Sequence, residues 1–262
     1  MVKLRLSPQN IYRSMYSEST KIDVVTTALR RPDLLDLTYT SFFKQIKDLP
    51  DVRLIINVDP IGDATNEEIV NVVERFSNDY EIRFSKEGSF VEAIKWCFAK
   101  VRSDIYMHLE DDWLLNKTLC YGDLVNQLKE KNLSQLVLPM KKKRVDDFGY
   151  SFRPHLADKV CAEKVTEISD SCNPEKSYKL LASRYNWRAE EYDAHYLVTD
   201  MGRKWSKSNG WSKANSVSFS SSSTWFKKRK GLSRFLGILE FKILKIFWQI
   251  KLRIKLKGRL YL

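Results

Sequence analysis

The chain of 262 residues predicts an α/β protein, a mainly parallel sheet flanked by helices, with a basic amphipathic helical tail at its C-terminal end. Three observations carry this reading. Short β-branched runs alternate with segments of helical apolar spacing over the first 140 residues, the pattern of a parallel sheet covered on both faces. The fourth run leads straight into three adjacent carboxylates, Glu110, Asp111 and Asp112. The formal charge of +12 is concentrated after residue 224.

Residues 22–28 form the first predicted strand. It ends before Arg30, Arg31 and Pro32, where proline stops a strand and suits the first turn of a helix. Residues 33–46 place Leu34, Leu35, Leu37, Phe42, Phe43 and Ile46 at roughly helical spacing. Residues 52–58 are a second strand, followed by Asp59 and Pro60. Asn66 is expected to cap a helix reaching Phe76. A short third strand spans 80–84, and Ser89 can cap a helix over 90–101. The fourth strand is 104–109, and a helix over 121–131 leads to a strand over 135–139. Residues 140–215 carry weaker signals, and the serine-rich stretch 216–224 reads as a linker. The expected organisation is one domain over 1–215, the linker over 216–224 and the tail over 225–262.

A hydrophobic content of 43% supports a core, and 9 glycines with 7 prolines exclude fibrous or low-complexity architecture. The four cysteines, Cys97, Cys120, Cys161 and Cys172, form no zinc-type spacing and read as reduced thiols of a cytoplasmic protein. Early charge and the lack of an apolar run speak against a signal peptide. No uncharged apolar stretch of about 18 residues suggests a membrane span.

The tail holds 12 Lys/Arg against one acid, Glu240, while the preceding residues hold 33 against 32. From Phe226 onward Leu232, Phe235, Leu236, Leu239, Ile243, Ile246, Phe247 and Ile250 recur at helical spacing, with Arg234, Lys242 and Lys245 largely off that stripe. A basic amphipathic helix of this kind suits an anionic membrane surface, at about 1 kcal/mol per basic residue. The expected location is therefore cytoplasmic and peripheral on a membrane. Tracking of nucleic-acid phosphates, or packing on the chain's own domain, are the alternatives.

Three neighbouring carboxylates repel one another, so a buried strand end needs a cation or hydrogen-bond donors to hold them. Mg2+ or Mn2+ favours such oxygens and leaves positions for phosphate. A solvated turn capping the next helix is the alternative. In open α/β sheets, ligands bind beyond the carboxyl ends of strands. The tips near Leu29, Asp59 and Glu110 are expected to converge there.

Residues 24–115 resemble family 2-like glycosyltransferases of the GT-A (Rossmann-like) fold. The matching pieces are 25–32 (VTTALRRP), 55–59 (IINVD), 88–94 (GSFVEAI) and 107–114 (MHLEDDWL), the last similar to the EDD form of a DxD-type motif. The resemblance implies a nucleotide-sugar donor site built around Glu110, Asp111 and Asp112. It implies Thr26, Ala28 and Arg30 beside the base and Asp59 on the nucleoside. It makes Asp112 the ligand of Mn2+ or Mg2+, and puts Asp111 on the ribose or the metal-bound waters. On the residues alone, Asp59 also fits a turn before Pro60, and Arg30 and Arg31 a solvated helix start.

In the second half, 150–155 (YSFRPH) and 173–177 (NPEKS) look like the acceptor-side segments of such transferases. Inverting transfer needs a base for the acceptor hydroxyl, and a carboxylate suits it. Glu175 is the first choice, with Asp170 and Asp193 behind it; the first turn of a helix after Pro174 is the other reading of Glu175. Arg203 and Lys204 suit diphosphate oxygens. The resemblance lets His195 or Asp200 complete the metal shell. Trp205 and Trp211 are either a sugar platform or core. The leading expectation is transfer of a sugar to a glycan or lipid-linked acceptor. Transfer to DNA bases and a non-catalytic binding module are the alternatives. A nucleotidyltransferase is disfavoured because no glycine-rich loop follows the first strand.

Overall fold

A computed structural model of the chain describes residues 21–140, 152–168, 174–209, 211–213 and 225–227, together with Ile243 and Ile246. Its centre is a seven-stranded sheet. In chain order the elements of its first half are β1 (Lys21–Leu29), α1 (Pro32–Gln45), β2 (Ile46–Lys47), β3 (Asp51–Asp59), α2 (Asn66–Val73), β4 (Tyr80–Phe84), α3 (Phe90–Phe98) and β5 (Ile105–Glu110). There follow β6 (Trp113–Leu115), β7 (Leu119–Cys120), α4 (Tyr121–Glu130), β8 (Gln135–Val137), β9 (His155–Asp158), α5 (Lys159–Val165), α6 (Pro174–Arg184) and β10 (Ala189–Glu191). The last are β11 (Val198–Asp200), α7 (Gly202–Asn209), β12 (Trp211–Lys213) and β13 (Trp225–Lys227).

The sheet order is β10-β8-β9-β5-β1-β3-β4. β1 runs parallel to both β3 and β5, β3 to β4, and β10 to β8; only β9 is antiparallel to its neighbours. β1 lies centrally, and seven consecutive residues from Ile22 are buried. Such a continuous buried run is what a strand covered on both faces demands. One core, including Val24, Leu35, Phe42 and Leu109, lies on one face of the sheet; Val25, Ile94, Phe98 and Tyr178 belong to the core on the other.

Local chemistry sets the helix starts. Pro32 opens α1, where a missing N–H costs no intrahelical bond. Ser89 caps α3, its Oγ accepting from Glu92 N. The expected cap at Asn66 moves back one residue: Thr65 and Glu68 form a reciprocal capping box, which satisfies two orphan donors together. β9 was not expected from the sequence, and neither were the short strands β2, β6 and β7. Its four residues HLAD carry no alternation, and its place between β5 and β8 is set by tertiary pairing.

The serine-rich stretch 216–224 and most of the basic tail lie outside the described residues. Trp225–Lys227, expected to begin the tail helix, instead form a strand antiparallel to Trp211–Lys213. Ile243 and Ile246 are helical and exposed. Among the described residues no helix is long and apolar enough to cross a membrane, and Cys97, Cys120 and Cys161 are free thiols.

Candidate active site

Register brings the predicted tips together. Leu29 pairs with Asp59 across β1 and β3, and Thr27 pairs with Glu110 across β1 and β5. The turn after β5 is sewn to the β1–α1 connection. Asp111 N donates to Thr27 O (3.2 Å), and Thr38 Oγ1 in α1 donates to Asp111 O (2.9 Å).

Asp111 is buried, and both oxygens of its carboxylate accept from protein donors. Oδ2 accepts from Leu29 N (2.9 Å) and from Arg31 Nε (3.0 Å), while Oδ1 accepts from Arg31 Nη2. Arg31 Nη2 also donates to Asp112 Oδ2 at 3.0 Å. The guanidinium lies 5.2 Å from the centroid of the Trp205 ring, at cation–π distance. Leu34, Leu37, Leu114, Met201 and Trp205 form a small apolar cluster of their own, with Leu34 and Leu37 on α1 and Trp205 on α7.

β11 pairs antiparallel with β6, so that Asp200 stands opposite Trp113. Asp112 O accepts from Met201 N (2.8 Å), and Asp200 Oδ1 accepts from Gly202 N (2.8 Å). These contacts bring the start of α7 against Asp112. Glu110 accepts from the Trp113 indole N–H at 2.7 Å.

Burial and crowding shape the charges. Burial, then Asp112, Asp111 and Asp200, push the Glu110 carboxyl up to about 8, against the lowering bond from Trp113. Burial pushes Asp111 up to about 6, against the pull of Arg31. Burial works against the charge of Arg31, but Asp111 and Asp112 outweigh it and raise its pKa. The turn thus joins a Glu110 carboxyl that holds its proton unusually firmly, the Arg31–Asp111 pair and Asp112. Its side chain is 17% exposed against 2% for Asp111.

Asp59 is buried, accepts from Asn57 Nδ2 (2.9 Å), and is raised in pKa by burial. Asn57 Oδ1 accepts from Arg83 Nε (2.5 Å) and Ser85 Oγ (3.0 Å). Across the gap, Arg30 N donates to Ile61 O at 2.8 Å, tying the β1–α1 and β3–α2 connections together.

Several predicted roles change. Thr26 is fully buried, its Oγ1 accepting from Tyr39 O–H (2.9 Å), so it packs against α1 and does not flank a base. Ala28 belongs to the same core. Arg30 points to α2, donating to Asn66 Oδ1 (2.9 Å) and Ala64 O (3.4 Å). Asp111 is buried and both its oxygens already accept from Arg31 and Leu29 N, so it is turned inward to the protein. His195 and Asp193 are exposed in the bend before β11, at the end of that strand remote from Asp112; Asp200 holds the near end. Glu175 is exposed in the first turn of α6. The helix leads into β10, which runs parallel to β8. Lys204 is half-buried in α7, Trp205 is core, and Trp211 opens β12. Asp170 and the Arg203 side chain lie outside the described residues.

The residue that sequence reasoning passed over is Arg31. An arginine next to another and just before a proline reads as solvated. Three carboxylates without a neighbouring cation in sequence were the available signal that a basic side chain must come from elsewhere.

No protein-family model matches the chain, and no curated protein matches it by sequence. Solved structures do match in fold. The chain has a mainly parallel, Rossmann-like fold of GT-A type, shared with nucleotide-sugar transferases. Mannosyltransferase PcManGT from Pyrobaculum calidifontis, in complex with GDP-Man and Mn2+, superposes with a TM-score of 0.52 at 12% identity. The match covers 65% of this chain and 54% of that one. S. aureus TarS gives 0.50 at 14% identity over 67% of this chain and 36% of its own. TarS 1-349 in complex with UDP-GlcNAc gives 0.50 at 13%, over 67% and 57%. The chain thus spans 36 to 57% of the length of these three structures.

Proposed function

We propose that the chain is a glycosyltransferase that uses a nucleotide-sugar donor and a divalent ion, transferring the sugar with inversion to a glycan or lipid-linked acceptor. The observation that carries this reading is the position of Asp112. Its carboxylate is partly open, unlike the buried Asp111, in an acidic turn at the carboxyl end of a central parallel strand, beside Asp200 and the start of α7.

The donor set suits a hard divalent ion held sparsely. Among the described residues no group of three or more His, Cys, Asp and Glu side chains is arranged to hold a metal. One or two carboxylates with phosphate and water completing the shell is the usual manner of Mg2+, and Asp112 with Asp200 can supply them. Such an ion would neutralise the charge that develops on a diphosphate leaving group.

The chain's own residues have distinct tasks. Asp59, fixed by Asn57, receives the nucleoside. Arg203 and Lys204, in the first turn of α7, are the cations for the diphosphate oxygens. Glu175 takes the proton of the acceptor hydroxyl as its oxygen bonds to the anomeric carbon and the bond to the diphosphate breaks. The basic residues after 224 bind an anionic membrane surface that presents the acceptor.

The test is a thermal-shift screen of UDP-, GDP-, CMP- and dTDP-linked sugars, with and without Mn2+, on the wild-type chain and on Asp112→Asn. One donor is expected to stabilise the wild type only when Mn2+ is present, and the variant not at all. Absence of any donor-dependent shift overturns the reading.

A further inference from the structure

Arg31 places a permanent cation where the proposed divalent ion would be held. Its Nη2 serves two carboxylates at once, Asp111 Oδ1 and Asp112 Oδ2. The two contacts are unequal. Asp111 holds the guanidinium through Nε as well, in the paired fork geometry that arginine and a carboxylate form best. Asp112 is reached by the single shared nitrogen, and its side chain is the more exposed. The contact to Asp112 is therefore the one that can be exchanged while the Asp111 pair stays intact.

We propose that Arg31 is a positioning residue that competes with the divalent ion for Asp112 and yields to it only when a nucleoside diphosphate is present. This rests on the reading of Asp112 as the ion's ligand. A guanidinium and a divalent ion on one carboxylate repel, and the repulsion is poorly screened in so buried a setting. A diphosphate supplies the missing negative charge, and its oxygens match the guanidinium fork better than they match an ammonium. Binding of ion and nucleotide is then coupled through Arg31, and coupling is reciprocal. Trp205 keeps the guanidinium in place while its second partner changes.

The experiment is a Mn2+ titration of the full chain followed by electron paramagnetic resonance of the free ion, alone and with saturating UDP or GDP, for the wild type and for Arg31→Lys. Lysine keeps the charge for Asp111 but lacks the paired Nε and Nη2 that grip Asp111 while Nη2 also reaches Asp112. In the wild type the nucleotide is expected to tighten Mn2+ on the order of tenfold, within the range usual for coupled sites. In Arg31→Lys, Mn2+ alone is expected to bind about fivefold tighter, with the nucleotide adding about threefold or less. Equal Mn2+ affinities for the two chains in both conditions overturn the proposal, leaving Arg31 as the counter-ion of Asp111 alone.

A wild type that binds neither Mn2+ nor nucleotide overturns the functional reading and this inference together, so the two failures show in different arms. Crystals of the wild type grown with and without Mn2+ and UDP give a test that does not require the variant to fold. The Arg31–Asp112 contact is expected only in the ion-free form, and its persistence beside a bound ion overturns the proposal.

Discussion

The carboxylate of Asp112 occupies the space that a side chain on residue 202 would need. A β-carbon built on Gly202 overlaps Asp112 Oδ2 and comes within 3.4 Å of Arg31 Nη1. The clash falls on a short side chain already held by Arg31, so the carboxylate must swing away. Gly202→Ala is expected to cut sugar transfer by about tenfold or more, since small misplacements in a site of this kind are costly. Alanine at a helix start does not lose stability by propensity. The melting temperature should therefore stay within a few degrees of the wild type. A variant that melts normally and transfers at the wild-type rate would show that Asp112 need not hold its place.

The Arg31 network is asymmetric, and its energetics should be too. Arg31→Ala leaves the buried carboxylate of Asp111 with only Leu29 N as its donor. Removing one partner of a buried pair costs about 3–5 kcal/mol. Asp112→Ala leaves the Arg31–Asp111 pair whole and removes a more exposed group. Its cost is expected at about 1 kcal/mol, as for most partly exposed polar substitutions. Urea unfolding of the two variants measures the difference, and similar losses would contradict the arrangement described here.

Much of this arrangement is legible in sequence, and the rest fails for identifiable reasons. β1, β3 and β5 are read easily because central parallel strands are apolar throughout, and the acidic turn stands out as three like charges after such a run. Pro32 and Ser89 mark helix starts by local chemistry. Arg31 is not legible, because its partners lie 80 and 81 positions away in the chain. Adjacent arginines do not reveal which one turns inward: Arg30 goes to Asn66 and Arg31 to Asp111. Thr26 and Thr27 alternate across the sheet, and only the observed contact of Tyr39 with Thr26 shows which face each one serves. Asp200 becomes part of the acidic neighbourhood through the pairing of β11 with β6, which two three-residue strands do not announce.

Gly62 sits where the β1–α1 and β3–α2 connections meet, the side proposed for the nucleoside. Its φ is +124°, a conformation that side chains rarely adopt, and a β-carbon there overlaps the carbonyl oxygen of Arg30. Gly62→Ala must strain the backbone or part the Arg30–Ile61 hydrogen bond. The expected loss is about 1–3 kcal/mol, the usual range for such strain. Because Asp59 lies three residues earlier, nucleotide affinity should fall more than global stability alone predicts. Isothermal titration with UDP and GDP, set beside urea unfolding of the same variant, separates the two effects.

Acid should weaken the fold through a histidine pair behind the acidic strand. His108 on β5 faces His155 on β9, with ring centroids 5.0 Å apart and both rings fully buried. Arg153 O accepts from His155 Nδ1 at 2.7 Å, which leaves Nε2 as the bare nitrogen. Burial holds His155 down to about 4, while burial and then the neighbouring His155 hold His108 well below its ordinary value. In the unfolded chain both titrate near 6.5. Below that pH the unfolded chain takes up protons that the folded chain refuses. The stability contributed by each histidine is thus complete above about 6.5 and is lost as pH falls toward 4, at about 1.4 kcal/mol per pH unit. Glu110 and Asp111, with raised pKa values, act in the opposite direction, because their folded forms bind protons more readily than the unfolded chain does. Their contribution is shared by wild type and His155→Phe, so the difference between the two chains isolates the histidine. From pH 7 to pH 5 the wild type is expected to lose about 2 kcal/mol more than His155→Phe in urea unfolding. Equal losses would mean that His155 already carries a proton in the folded protein.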